Sequence, residues 1–108
     1  MKYIKSFEKQ LTQEEKDRIG NYVIINPTHA RPYERIFFNN NIGKIVRISI
    51  NPIGNENTFK VLYDKDIIPF NVILWKDNTC GVKNYEITHE SKRKEDLEAL
   101  LLSKKFNL

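Results

Sequence analysis

The chain has 108 residues, a length that suits one hydrophobic core and leaves too little buried surface for two. With 40% hydrophobic and 30% charged residues it has ordinary globular usage, away from the polar extreme where chains stay disordered. No apolar run approaches the roughly 18 residues that span a bilayer, and one cysteine with two histidines excludes an internal disulfide and a structural zinc site.

The net charge of +4 points toward anionic partners only if the positive charge is gathered in one place. It is spread thinly: residues 1–20 carry five basic and four acidic groups, residues 21–88 eight and six, and residues 89–108 five and four. Met1 to Gln10 lacks the uninterrupted apolar stretch of a secretory signal, so the expectation is a cytoplasmic protein.

In the first segment Tyr3, Phe7 and Leu11 recur every four residues, which gathers them on one side of a helix. Thr12 followed by Glu15 is a capping-box signature and predicts a short helix over Gln13 to Ile19, closed by Gly20. The β-branched run Tyr22 to Ile25 predicts a strand. Residues 26–41 carry prolines at 27 and 32 and end in three asparagines, which reads as a long loop.

From Ile42 to Ile50 the chain alternates, with Ile42, Val46, Ile48 and Ile50 on one parity and Lys44 interrupting them, which predicts a strand. Asn51 to Asn57 supplies turn chemistry and Thr58 to Tyr63 a second strand, so the pair forms a hairpin. Ile67 to Trp75 is apolar but holds Pro69, which predicts an edge strand or two short strands. A turn over Asp77 to Gly81 then leads to a last strand over Val82 to Thr88.

Ser91 as N-cap, acids at Glu95, Asp96 and Glu98, and Lys104 and Lys105 late in the segment predict a helix over Lys92 to Lys105. Leu97, Leu100 and Leu101, broadened by Leu102, form its apolar stripe, which is expected to dock on the β core or on a partner chain. The expected organisation is one mainly β, α+β domain over residues 1–108, with a helical segment at 1–19, a β-rich core at 20–88 and a C-terminal helix at 91–106.

The runs Gly20-Asn-Tyr-Val-Ile-Ile25, Ile42-Gly-Lys-Ile-Val-Arg-Ile48 and Phe59-Lys-Val-Leu-Tyr-Asp64 are similar to the opening strands of SH3-like small barrels, which implies a strongly bent β-barrel. The start Met-Lys-Tyr-Ile-Lys-Ser-Phe-Glu and the end Ser91-Lys-Arg-Lys-Glu-Asp-Leu-Glu-Ala-Leu-Leu resemble small uncharacterised accessory proteins of tailed bacteriophages. That resemblance implies a bacterial host cytoplasm and carries no catalytic motif.

The functional candidates are Arg31, Tyr33, Arg35, Lys44 and Arg47, with Phe37 and Phe38 interleaved. Guanidinium groups grip phosphates while aromatic faces stack bases, so the mixture suits single-stranded nucleic acid or a nucleotide. The competing reading is that Phe37 and Phe38 pin a loop to the core and the arginines are solvated. Cys80, His29 and His89 supply the residue types of a thiol and base pair but no family signature, and an incidental Cys80 beside Gly81 is the preferred reading. Asp64, Asp66 and Asp77 lie in turns where carboxylates accept nearby amides, so no metal is expected, and Gly43 and Gly54 lack phosphate-loop spacing. Trp75 and Tyr85 are either core residues or exposed binding aromatics; Trp75, two residues after Ile73 on the same strand face, is expected in the core.

These observations predict a binding module without enzymatic activity or cofactor, engaging nucleic acid or a host protein. Sequestration of a small charged nucleotide and a structural or virion-assembly role are the alternatives, with a homo-oligomer through the C-terminal helix and no membrane association.

Overall fold

The computed structural model describes residues 10–54 and 56–106. Tyr3 and Phe7, on which the first helical pattern rests, lie outside the described residues. Helix α1 (Gln13–Arg18) begins with the expected box: Glu15 N–H donates to Thr12 Oγ1 at 3.1 Å, and Thr12 N–H donates to the Glu15 carboxylate at 3.0 Å. Gly20 then turns the chain at φ +97°, a conformation that glycine adopts without Cβ strain, and strand β1 (Tyr22–Ile25) follows.

The expected long loop over 26–41 contains a helix, α2 (Pro32–Asn40). Pro32 occupies the first helical position, where a missing N–H costs nothing and the fixed φ is already helical. Glu34 completes the start by accepting the Arg31 N–H at 3.0 Å. Asn40 and Asn41 finish the helix, each donating its side-chain amide to a carbonyl of the last turns, Ile36 O and Phe37 O.

Strands β2 (Gly43–Ser49) and β3 (Thr58–Leu62) form the expected hairpin. A bulge in β2 changes which residues face inward: Ile45 pairs with Val61, yet Arg47, not Val46, opposes Lys60. The inward pair is therefore Ile45 and Ile48, while Val46 and Ile50 lie outside, so the single parity expected along this strand is broken at its centre.

Ile67 to Trp75 forms no strand. A 3-10 turn (Lys65–Ile67) leads into irregular chain, and a second turn closes with Val72 N–H on Pro69 O at 3.1 Å. Strand β4 (Thr79–Val82) takes part of the segment expected as a turn; a 3-10 turn (Asn84–Glu86) separates it from β5 (Ile87–Ser91). Helix α3 (Lys94–Phe106) starts two residues later than expected, with Ser91 Oγ accepting the Arg93 N–H and donating to Asp96.

The five strands make one antiparallel sheet in the order β4-β3-β2-β1-β5. Among the described residues no ladder joins β4 to β5, so the sheet is open and the barrel closure expected from the resemblance is not completed by backbone pairing. The sheet is not flat, however. A flat five-stranded sheet separates its edges by about 19 Å, whereas the connection from Val82 to Ile87, containing the 3-10 turn, reaches about 15 Å at most. Arg18 reaches across the sheet: its guanidinium lies 4.5 Å from the centroid of Phe59 on β3 and also bonds Glu90 on β5.

The concave face holds the core. Val23, Ile25, Ile45, Ile48, Phe59, Val61, Tyr63 and Val82 pack there with Phe37 and Phe38 from α2 and with Val72. Tyr63 lies against both phenylalanine rings, at centroid distances of 5.3 and 5.7 Å. Gly43 admits this packing, since a Cβ there would lie 2.9 Å from Tyr63 Cζ. Helix α3 docks on β1 and β5 and buries Leu97, while Leu102 remains exposed.

Candidate binding site

The structure divides the predicted basic and aromatic set. Arg31 and Tyr33 meet at the start of α2, where Arg31 Nη1 donates to Tyr33 Oη at 3.2 Å. Arg35 is committed to its own loop: Nε donates to Ala30 O at 3.1 Å and Nη2 to Thr28 O at 2.7 Å, which locks residues 28–30 onto α2. Lys44 lies between the buried Gly43 and Ile45, and Arg47 opposes Lys60, so both leave the sheet on the convex face. Arg31, Tyr33 and Arg35 belong to the layer on the other side. Phe37 and Phe38 are buried in the core, as the competing reading required.

A different constellation appears along the outer edge of β4. A cleft of about 470 Å³ runs there between the loop before α2 and the 3-10 turn that precedes β5. Pro27, His29 and Phe38 line one side, Cys80 and Gly81 the floor, and Ile73, Trp75 and Tyr85 the rim. The rim is exposed: Ile73 is 80% accessible, Trp75 56% and Tyr85 64%, and Phe70 on the same irregular segment is 99% accessible.

Trp75 therefore sits outside the core where it was expected. Its ring lies over Gly81, where a Cβ would come within 2.9 Å of the indole, and the Lys60 ammonium is 5.6 Å from the ring centroid. Two bonds fix the indole's backbone: Trp75 N–H donates to Thr79 O at 3.0 Å, and Asn78, at φ 63°, donates to Trp75 O at 2.8 Å. Lys60 is held in turn by Asp77 at 2.6 Å.

The β4 backbone adds polar groups to this edge. Tyr63 N–H bonds Asn78 O, so the antiparallel alternation points Cys80 and Val82 toward β3 and turns Gly81 outward. The end wall is rigid: the buried carboxylate of Glu86 accepts Thr28 N–H at 2.6 Å and Lys83 N–H at 2.8 Å, tying the loop to the 3-10 turn.

His29 and Cys80 share this cleft, whereas His89 is on β5 with its Nδ1 against Thr88. Burial, then the negative charges of Glu86 and Glu34, push the Cys80 thiol up to about 11. A thiol with that value stays protonated at neutral pH, the opposite of what a nucleophile needs. Of the turn aspartates Asp64 behaves as expected, its Oδ1 accepting the Asp66 N–H at 3.0 Å, whereas the Asp77 carboxylate accepts from the Thr79 hydroxyl and the Lys60 ammonium. Among the described residues no three His, Cys, Asp or Glu side chains gather as a metal site, and no helix is long and apolar enough to cross a membrane.

Sequence reasoning missed Phe70 and Ile73, while Tyr85, left open between core and exposed binding aromatic, lies exposed. The available signal was the alternation in the run Ile67 to Trp75: Ile68, Val72 and Leu74 turn in on the even positions and Ile73 and Trp75 out on the odd ones, while Phe70, just after Pro69, breaks the count and is left outside. Comparison with protein-family models, with curated proteins and with solved structures found no match to this chain.

Proposed function

We propose that this protein is a non-enzymatic binding module that takes an extended segment of a partner protein into the cleft beside β4. The single observation that carries this reading is the exposed row of Ile73, Trp75 and Tyr85 flanking an outward-facing strand edge. Aromatic side chains next to outward-facing backbone groups are what an added strand requires, since pockets select its side chains while Gly81 supplies main-chain bonds. The meander order, with one 3-10 turn carrying the chain from edge to edge, supports reading the fold as an SH3-like small barrel. The resemblance to tailed-phage accessory proteins makes a host protein the expected partner.

Trp75 is the chain's only tryptophan, so its emission reports directly on the cleft. Panning a random peptide library on the immobilised protein tests the reading. Enriched peptides should shift Trp75 emission to the blue and lose at least about tenfold in affinity against Tyr85→Ala. No enrichment above background, or equal binding by Tyr85→Ala, would refute it.

One observation favours a second reading. Lys44, Arg47 and Lys60 share the convex face, with Lys44 5.6 Å from the Tyr22 ring centroid and Lys60 the same distance from that of Trp75. Such alternation of cations and rings suits single-stranded nucleic acid or, on a smaller scale, a nucleotide. Binding of a labelled oligothymidylate that weakens steeply with salt and is lost in Lys44→Ala/Arg47→Ala would support it; no binding at low ionic strength would eliminate it.

A further inference from the structure

We propose that residues 72–75 are a strap that closes on β4 as a sixth strand, with Ile73 exchanging both main-chain bonds with Gly81. The register is already set by the loop that joins the two segments. Trp75 N–H donates to Thr79 O and Asn78 N–H to Trp75 O, with Asn78 at φ 63°. These two bonds and the left-handed last residue are those of a three-residue hairpin loop, here Lys76, Asp77 and Asn78. Trp75 therefore opposes Thr79. Counting back along one arm and forward along the other sets Leu74 against Cys80, Ile73 against Gly81 and Val72 against Val82.

The side chains obey that register. Val72 and Val82 are both in the core, and Leu74 and Cys80 both pack against it. Ile73 and Trp75 turn the other way, Ile73 into solvent and Trp75 over Gly81. Opposed residues of an antiparallel pair share a face, so closure turns no side chain over. What is unmade is the main-chain pairing. Gly81 presents its N–H and C=O outward; among the described residues its carbonyl meets the Cys80 thiol at 4.0 Å, and no bond joins it to Ile73. Both residues line the cleft, so the closed strap takes the space beside Gly81. Closure regulates the site, a consequence that rests on the binding reading above: one N–H and one C=O cannot serve the strap and a partner's strand together. The partner's affinity is then reduced to the fraction of molecules that are open.

Amide exchange and nuclear Overhauser spectra of the full chain test the strap without any partner. Closure should give an amide–amide cross-peak between Ile73 and Gly81 and slow the exchange of Gly81 by at least about tenfold relative to an unstructured chain. Ile73→Pro, which has no N–H to donate, should remove that protection, while Ile73→Ala should keep most of it. Ile73 is 80% accessible, so neither change empties the core, and circular dichroism of each variant verifies folding. Peptides enriched on the cleft should bind Ile73→Pro more tightly than Ile73→Ala, by about the factor that protects Gly81. A Gly81 amide that exchanges freely and lacks the cross-peak, or protection that survives Ile73→Pro, would overturn the strap. Equal peptide affinity for the two variants would overturn its competition with a partner. A protected Gly81 in a protein that enriches no peptide would uphold the strap and refute the binding reading alone.

Discussion

Replacing Tyr63 by phenylalanine should stabilise the protein. The Tyr63 hydroxyl is buried with no hydrogen-bond partner among the described residues, while its ring fills the space over Gly43 and packs on Phe37 and Phe38. A buried polar group without a partner costs about 1–3 kcal/mol, and the phenylalanine ring retains the packing. The expected gain is about 1 kcal/mol, or roughly 4–8 °C in Tm for a domain of this size. Urea denaturation followed by Trp75 fluorescence should show a higher midpoint with an unchanged m-value. The effect should grow in alkali. Burial, then the nearby Cys80 charge, raises the Tyr63 phenol far above its ordinary range, so the folded state keeps a proton that the unfolded chain releases near pH 10. The unfolded state then binds fewer protons, and wild-type stability falls as pH climbs beyond that value. Tyr63→Phe should lose that part of the decline. A destabilisation of about 1 kcal/mol or more would refute the reasoning, because it would mean the hydroxyl is satisfied in the folded protein.

Gly43→Ala should cost about 3 kcal/mol, since the new methyl would overlap Val61 Cγ1 and press on Tyr63 Cζ; adding Val61→Ala should recover part of the loss in a double-mutant cycle by urea melts. Acid should weaken the tie between α1 and β5: burial raises the Glu90 carboxyl, but hydrogen bonds from Arg18 and Asn21 outweigh it and hold the group below its usual value. Stability from that carboxylate is present above about pH 4.3 and fades as pH falls through the depressed value, and a cycle on Arg18→Ala and Glu90→Gln should give a coupling of about 1 kcal/mol. With its thiol pushed up to about 11, native Cys80 should react with maleimide at pH 7 far more slowly than the urea-unfolded chain; equal rates would contradict its burial. The same raised value means stability is lost as pH rises from about 9 to about 11, a slope that Cys80→Ala should flatten.

Local chemistry in the sequence accounted for much of the architecture. The Thr12 and Glu15 box, the Gly20 turn and the β2–β3 hairpin each depend on residues within a few positions of one another, and such interactions are visible in a linear reading, whereas Ser91, expected as the N-cap of α3, ends β5 two residues before the cap position. The failures share a different cause. Pro32 looks like a breaker when weighed as a proline and becomes a helix starter only at the first helical position. Val46 looks inward by parity until the bulge opposite Lys60 resets the count. Arg31, Arg35, Lys44 and Arg47 are near in sequence, but Gly43 and Ile45 fix Lys44 on the convex face while α2 packs on the concave one, so proximity along the chain did not become proximity in space.

The exposure of Phe70, Ile73 and Trp75 follows from the same packing that stabilises the fold. The segment that carries them is anchored by Ile68, Val72 and Leu74, which already sit in or against the core. To bury the outer set, the chain would have to expose the inner one, and the Tyr63 ring already occupies the place of the missing Gly43 side chain. Turning Trp75 inward is blocked as well, because its N–H and C=O are both fixed by the turn to Thr79 and its ring rests on Gly81. Among the described residues those apolar groups have no better place; covering the 56% of Trp75 still accessible, on the order of 100 Å², contributes about 2–3 kcal/mol to whatever buries it. That is why the cleft at the β4 edge, and not the dispersed arginines, is the surface on which binding should be sought.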